Sequence, residues 1–179
     1  MRYFKKMTGE RIYLSPLNPD DAVTYTKWFN DKDMVGNLGL YTQMISLSKE
    51  KQTLEDMAAG NTHHYAIILL DGDLLIGGVS LDSVNHRCRA ADLGIFIGDE
   101  AYRSKGYGAE AIRLILNYGF NDLNLHNIML TVHADNLRGI ACYEKVGFKE
   151  IGRRREAMFK NGRYIDMVYM DIMDTEYNA

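Results

Sequence analysis

Residues 90–109 read AADLGIFIGDEAYRSKGYGA. The first eight of these, Ala90 to Ile97, are mostly apolar and predict a strand. Two glycines, Gly106 and Gly108, then lead into a stretch where Ile112, Ile115 and Leu116 recur at helical spacing, which predicts an amphipathic helix from Gly106 to about Leu123. This stretch therefore encodes a strand, a glycine-rich turn and a helix.

A further strand is predicted at Ile128 to Val132. Two strands joined through a helix form a parallel pair in one sheet, because the chain must cross over before it returns. The other elements are predicted as follows: a strand over Arg11 to Leu17, a helix from Asn18-Pro19 to near Asn30, an irregular segment Asp31 to Leu47, a helix from Ser48 to Gly60-Asn61, a hairpin of Tyr65 to Leu70 and Leu74 to Leu81, a polar turn Ser83 to Arg87, a helix over Asn136 to Val146, and a hairpin over Glu150 to Tyr169 turned at Asn161-Gly162.

The order β-α-α-β-β-β-α-β-α-β-β predicts an α+β (mixed α/β) fold with helices on both faces of one sheet. With 179 residues and just two prolines, the chain predicts a single domain over 1–179. The composition, 46% hydrophobic and 25% charged, is that of a globular protein with a real core.

Charge and cysteine content exclude several classes. A formal net charge of -3 offers no large cationic field for nucleic acid or anionic lipid. The two cysteines, Cys88 and Cys142, lie far apart without metal-ligand spacing, so we expect no metal site and a reducing, cytoplasmic location. We also expect no membrane partner, because the apolar runs are far shorter than the roughly 20 residues of a membrane span.

The glycine turn predicts an anion site. Free N–H groups and the positive end of the helix meet there, Gly106 and Gly108 allow close approach, and Arg103 and Lys105 add mobile positive charge. A diphosphate is the expected ligand. The alternative is that the glycines only allow a sharp turn between the strand and the helix and bind no ligand. The motifs of nucleoside triphosphatases and of dinucleotide folds are both missing from the sequence.

A second motif follows, NLRGIACYEKVGF at residues 136–148. Asn136 and Tyr143 are seven residues apart and share one side of the predicted helix. The pair of motifs, in this order and spacing, resembles the GCN5-related N-acetyltransferases (GNAT) over Arg11 to Met173. Shorter tracts, among them Tyr118-Gly119-Phe120, are similar to the branch of ribosomal-protein N-terminal and spermidine/spermine N-acetyltransferases.

The resemblance implies a mostly antiparallel sheet of about seven strands that splays at a parallel central pair. It also implies acetyl-CoA as co-substrate, with the diphosphate on the glycine turn, the pantetheine arm along one strand, and an asparagine on the other side. The cofactor-binding residues predicted in this way are Ile95, Phe96, Ile97, Arg103, Ser104, Lys105, Gly106, Tyr107, Gly108, Ala109 and Asn136. For Asn136 a helix N-cap is an equally good interpretation.

Two catalytic residues are predicted. Tyr143 is the general acid, since a phenol with a pKa near 10 can return a proton to the departing thiolate; a tyrosine that only packs by its ring is the alternative. An alkylammonium must lose a proton before it attacks, and Asp92 is the first choice as base, against a plain surface aspartate. His63, His64 and His86 are not expected to be catalytic.

The resemblance places the acceptor pocket between the loop Trp28 to Tyr41 and the C-terminal hairpin. That loop carries Asp31 and Asp33 but no dense acidic cluster, which disfavours a polyamine with several cationic nitrogens. The expected partner is a small-molecule amine or a protein N-terminus, and a homo-oligomer stays open. The predicted activity is acetyl transfer from acetyl-CoA to a primary amine; the alternative is a non-catalytic acyl-CoA-binding regulatory module.

Overall fold

A computed structural model describes residues 2–36, 38, 43–60 and 62–177. The described residues form one sheet of eight strands in the order β1-β2-β3-β4-β5-β6-β8-β7. The strands are β1 (Met7–Thr8), β2 (Ile12–Pro16), β3 (His63–Leu69), β4 (Leu75–Asn85), β5 (Ala90–Ile97), β6 (Asn127–His133), β7 (Lys149–Lys160) and β8 (Arg163–Met173). The α-helices are α1 (Ala22–Phe29), α2 (Lys32–Val35), α3 (Leu47–Ala59), α4 (Tyr107–Asn117) and α5 (Leu137–Val146).

The sheet is antiparallel except at β5 and β6, which pair in parallel. This confirms the predicted crossover through α4. The predicted α+β class and the mostly antiparallel sheet are confirmed as well, and the β7–β8 hairpin turns at Asn161-Gly162 as predicted, with both residues at positive φ.

Two apolar cores lie on opposite faces of the sheet. On one face Ile112, Ile115 and Leu116 of α4 are fully buried, and α5 packs against the same core. On the other face α1, α2 and α3 contribute a second core around Tyr25, Trp28 and Leu54. The alternation of apolar residues along β5 divides them between these cores, since Leu93 belongs to the first and Phe96 packs against the second.

The structure differs from the predicted elements at four places. The sheet has an eighth strand, β1, which pairs with β2 over two residues, too few to leave a pattern. Part of the segment expected to be irregular forms α2, which Asp31 caps by accepting from the N–H groups of Asp33 and Met34. Strand β4 runs to Asn85, through the start of the predicted polar turn.

The fourth concerns α4, which ends at Asn117, where a single π-turn over Tyr118–Asp122 replaces its predicted last residues. A Cβ at Gly119 would lie 2.7 Å from Ile128 Cδ1, so the chain passes close to the core there. Asn61, predicted to end the helix that begins at Ser48, lies outside the described residues.

Candidate active site

Two residues of the glycine turn before α4 have the left-handed backbone conformation. Ser104 has φ +61° and Gly106 has φ +87°. Gly106 is the N-cap of α4, and no side chain caps the helix from that position. The first main-chain N–H groups of α4 therefore keep their hydrogen-bonding capacity, and the positive end of the helix dipole faces the same point. The turn has the donors that an anionic group requires.

Arg11, the residue that precedes β2, contacts this turn and stabilises it. Arg11 donates to the Lys105 carbonyl oxygen (3.0 Å) and to the Glu110 carboxylate (2.9 Å). Its guanidinium also lies 4.6 Å from the ring centre of Tyr107. The role of Arg11 was not predictable from the sequence, because 94 residues separate it from Lys105 in the chain.

Arg103 is fixed rather than mobile, which corrects the prediction. Its guanidinium donates to the carbonyl oxygens of Ile97 (3.0 Å) and Gly98 (2.8 Å). These bonds hold the end of β5 against the turn. The cation thus lies close to the predicted diphosphate site but is anchored on the main chain.

The two parallel strands separate where a substrate is expected. The last pair in the ladder of β5 and β6 is Asp92 with Met129, although both strands continue to Ile97 and His133. Beyond that pair lies a cavity of about 630 Å³. Its wall takes residues from both faces of β5, so the opening connects the two sides of the sheet there.

Most of the predicted cofactor residues meet in this cavity. Those in its wall are Ile95, Phe96, Ile97, Arg103, Ser104, Gly106, Gly108, Ala109 and Asn136. Lys105 and Tyr107 do not line it. Asn136 also caps α5, since its side chain accepts a hydrogen bond from Gly139 N–H (3.0 Å). The N-cap interpretation is therefore correct, and the same residue faces the cavity.

Tyr143 lies in the wall as well. Its ring packs edge-on against Phe148, with centroids 6.1 Å apart. Burial raises the pKa of Tyr143 to about 12. The phenol therefore stays protonated at every physiological pH, which is the state that a proton donor needs.

Asp92 is partly buried at the last pair of the β5–β6 ladder but does not line the cavity. Its cross-strand partner on β4 is Asp82. Asp82 contacts His64 (Oδ1–Nε2, 2.9 Å) and accepts from the Ser80 hydroxyl (2.7 Å), and the hydrogen bond from His64 lowers the pKa of Asp82. The role of Asp92 as base stays a prediction.

The far side of the cavity is largely apolar. Asp33, Met34 and Leu38 line it from α2 and the residues that follow. Met158 and Met167 line it from the C-terminal hairpin, as the predicted acceptor pocket requires. Trp28 is instead buried in the second core, and Tyr41, the predicted end of the pocket loop, lies outside the described residues.

Sequence analysis missed one polar residue of the cavity. His133, the last residue of β6, is in the wall and 3% exposed, and its Nδ1 has no hydrogen-bond partner. An unpaired polar group in the interior costs about 1–3 kcal/mol. A lone histidine at a strand end carries no sequence signal, so the tertiary structure alone reveals it.

The described part of the chain holds no group of three or more His, Cys, Asp or Glu side chains placed to bind a metal ion. None of its helices has the length and apolar character needed to cross a membrane.

Comparison with known proteins identifies the class. The Acetyltransferase (GNAT) domain matches residues 11–149. A spermidine N(1)-acetyltransferase of Vibrio cholerae is 40% identical over 103 residues, 58% of this chain and 59% of that protein. A Bacillus subtilis relative, YdaF, which carries the name ribosomal N-acetyltransferase, is 31% identical over 112 residues, 63% of this chain and 60% of that protein. The chain thus spans about 60% of the length of both relatives.

The fold agrees over a longer stretch. The crystal structure of spermidine N-acetyltransferase from Vibrio cholerae in complex with CoA and spermine has a TM-score of 0.84 and 28% identity, covering 93% of this chain and 97% of that one. The protein belongs to the GNAT acetyltransferase family, as its two motifs predicted.

Proposed function

We propose that this protein transfers an acetyl group from acetyl-CoA to a primary amine. The observation that carries the proposal is the cavity between β5 and β6, which joins the uncapped start of α4 to Tyr143. A co-substrate with an anionic diphosphate, a long arm and a thioester fits this arrangement. The solved relative named above holds CoA, which supports the same assignment.

The chain offers binding groups along the length of acetyl-CoA. The N–H groups of residues 104–109 receive the diphosphate, with Arg103 beside it. The edge of β5 at Ile95, Phe96 and Ile97 is free of β6, so its main-chain groups can bond to the pantetheine amides and to the thioester carbonyl. Asn136 lies in the opposite wall.

The chemistry requires one bond to form and one to break. The amine nitrogen attacks the thioester carbon, and the tetrahedral intermediate expels the thiolate. Tyr143 donates its proton to that sulfur as the C–S bond breaks, and the nitrogen gives up its second proton. Net, an ammonium and acetyl-CoA yield an amide, CoA thiol and one proton.

The acceptor half of the cavity decides which amine is used. The apolar wall around Met34, Met158 and Met167 accommodates the carbon chain of an alkylamine or a peptide side chain. Asp33 adds one carboxylate to this wall, as a partner for an ammonium group. Relatives named as spermidine acetyltransferases support a polyamine, and the relative named as a ribosomal N-acetyltransferase supports a protein N-terminus.

A CoA-release assay over an amine panel tests the proposal. The panel contains spermidine, spermine, peptides with free N-termini and amino sugars, and calorimetry with CoA is run on the same protein. We expect micromolar to millimolar CoA binding and thiol release with at least one amine class. CoA binding without release on any amine favours the non-catalytic acyl-CoA-binding module, and no CoA binding contradicts both.

A further inference from the structure

Three observations on His133 together point to a ligand in the cavity. His133 is 3% exposed, it lines the cavity, and its Nδ1 is buried without a partner. Residues of β6 alternate between the faces of the sheet, and the neighbouring Val132 lies in the first core. His133 therefore faces the acceptor side, in the same wall as Met158 and Met167.

The charged groups around the ring favour its neutral form. Burial lowers the pKa of His133, Lys160 on β7 lowers it further, and Asp135 opposes them. Lys160 and Asp135 are themselves paired, with Nζ and Oδ2 3.4 Å apart. On β8 the cross-strand partner of His133 is the uncharged Met167, and from the side of α2 the cavity wall contributes Asp33. Because His133 lines the cavity, its neutral imidazole can bind an N–H group of a substrate there and accept its proton.

We propose that His133 is a catalytic residue that binds the acceptor amine and removes its first proton. This inference rests on the proposed function. The ammonium R–NH3⁺ donates a hydrogen bond to the ring nitrogen, the proton moves to the imidazole, and R–NH2 attacks the thioester. The imidazolium then releases its proton to solvent, and the second proton of the amine balances the one that Tyr143 gives to sulfur.

The proposal reassigns the base from Asp92 to His133. Asp92 does not line the cavity, whereas His133 does. A base must come within hydrogen-bond reach of the proton that it takes, directly or through one water. Geometry thus favours the histidine, and variants of both residues test which of them acts as the base.

The variants are His133→Gln, Asp92→Asn and, as a control, His86→Gln at an exposed turn. Gln keeps the polarity and approximate volume of the histidine but cannot take a proton at neutral pH. For His133→Gln we expect kcat/KM for the best amine to fall roughly 10²-fold at pH 7.5. The affinity for CoA should not change, and His86→Gln should match the wild type.

The pH profile supplies a readout that a structural role would not alter. In the wild type, the plot of log kcat/KM for the amine against pH should rise with a slope of about 1 and level off above the pKa of His133, because only the imidazolium must lose a proton before the ammonium binds. In His133→Gln this plateau should be lost, and the plot should keep rising with a slope of about 1 toward the pKa of the amine, near 10. A plateau that persists in His133→Gln, or one that is lost only in Asp92→Asn, overturns the proposal.

A second measurement covers a variant that fails to fold. The wild-type imidazole signals are followed by NMR while spermidine, or the best amine of the panel, is added to the CoA complex; Cα-to-ring correlations in the wild type assign His133. A shift of the His133 ring signals supports the contact, and unchanged signals at saturating amine overturn it. If the wild type acetylates no amine, the proposed function fails; if it acetylates amines while the His133 tests are negative, the inference alone fails.

Discussion

Tyr143→Phe is the sharpest perturbation of the proposed chemistry, because it removes one hydroxyl and little else. The phenylalanine ring keeps the edge-on contact with Phe148, whose centroid lies 6.1 Å away. No hydrogen bond joins the hydroxyl of Tyr143 to another described residue, and Tyr143 lines the cavity. We therefore expect the free energy of unfolding to change by no more than about 0.5 kcal/mol.

The expected loss of activity follows from the proton that Tyr143 supplies. General acid catalysis contributes about 10²- to 10⁴-fold. The leaving group is a thiolate whose thiol has a pKa near 8.5, so it needs less assistance than an alkoxide or an amide nitrogen. The lower end of the range of about 10²- to 10⁴-fold therefore applies. We expect kcat to fall about 10²-fold, which corresponds to about 2.7 kcal/mol in the activation free energy.

The assay is steady-state CoA release with the best amine, from pH 6 to pH 10. Because burial raises the pKa of Tyr143 to about 12, the hydroxyl stays protonated over this range, and the ratio of wild-type to variant rates should not depend on pH. Tyr164→Phe, at a tyrosine 63% exposed on β8, is the matched control. Wild-type rates in Tyr143→Phe, or a loss explained entirely by weaker CoA binding, would refute the role of general acid.

Three other predictions concern the glycine turn, the packing of Gly98 against Trp28, and the pH dependence of stability. Gly106→Ala places a Cβ at φ +87°, where an L residue costs about 1–2 kcal/mol, so calorimetry should show weaker CoA binding; an unaltered Kd counts against the turn as the diphosphate site. Gly98→Ala places a methyl on the indole of Trp28, and urea denaturation should show a loss of about 1–3 kcal/mol, which a wild-type midpoint would contradict. Because the pKa of His133 is lowered in the folded protein, the unfolded chain binds more protons than the folded one just below pH 6.5. The free energy of unfolding should therefore fall as the pH decreases there, and it should fall less in His133→Gln. Urea titrations at several pH values measure this, and the same pH dependence in both proteins would contradict it.

The bounds of the elements were predictable wherever a local pattern controls them. Strand β5 and the apolar face of α4 follow from the period of their apolar residues, and the Asn161-Gly162 turn follows from the preference of these residues for positive φ. The short helix α2 was not predictable. Its four residues are too few for a period, and a cap at Asp31 together with burial of Met34 and Val35 stabilises it.

The cofactor half of the candidate site was encoded in two short motifs, because a turn that binds an anion depends on backbone conformation that glycines specify locally. Asn136 and Tyr143 were also predictable, since seven residues on a helix return to the same side. Their roles in binding and catalysis stay predictions.

The sequence by itself determined the alternation of strands and helices, the glycine turn before α4, and the family, because each depends on residues that are close together in the chain. Only the tertiary structure revealed where β5 and β6 separate, that Arg11 supports the turn, that Arg103 is anchored, and that the buried His133 lies in the cavity wall. These features depend on elements that are distant in sequence. Whether a side chain finds a hydrogen-bond partner, or is buried without one as at His133, is decided only when the whole sheet has formed.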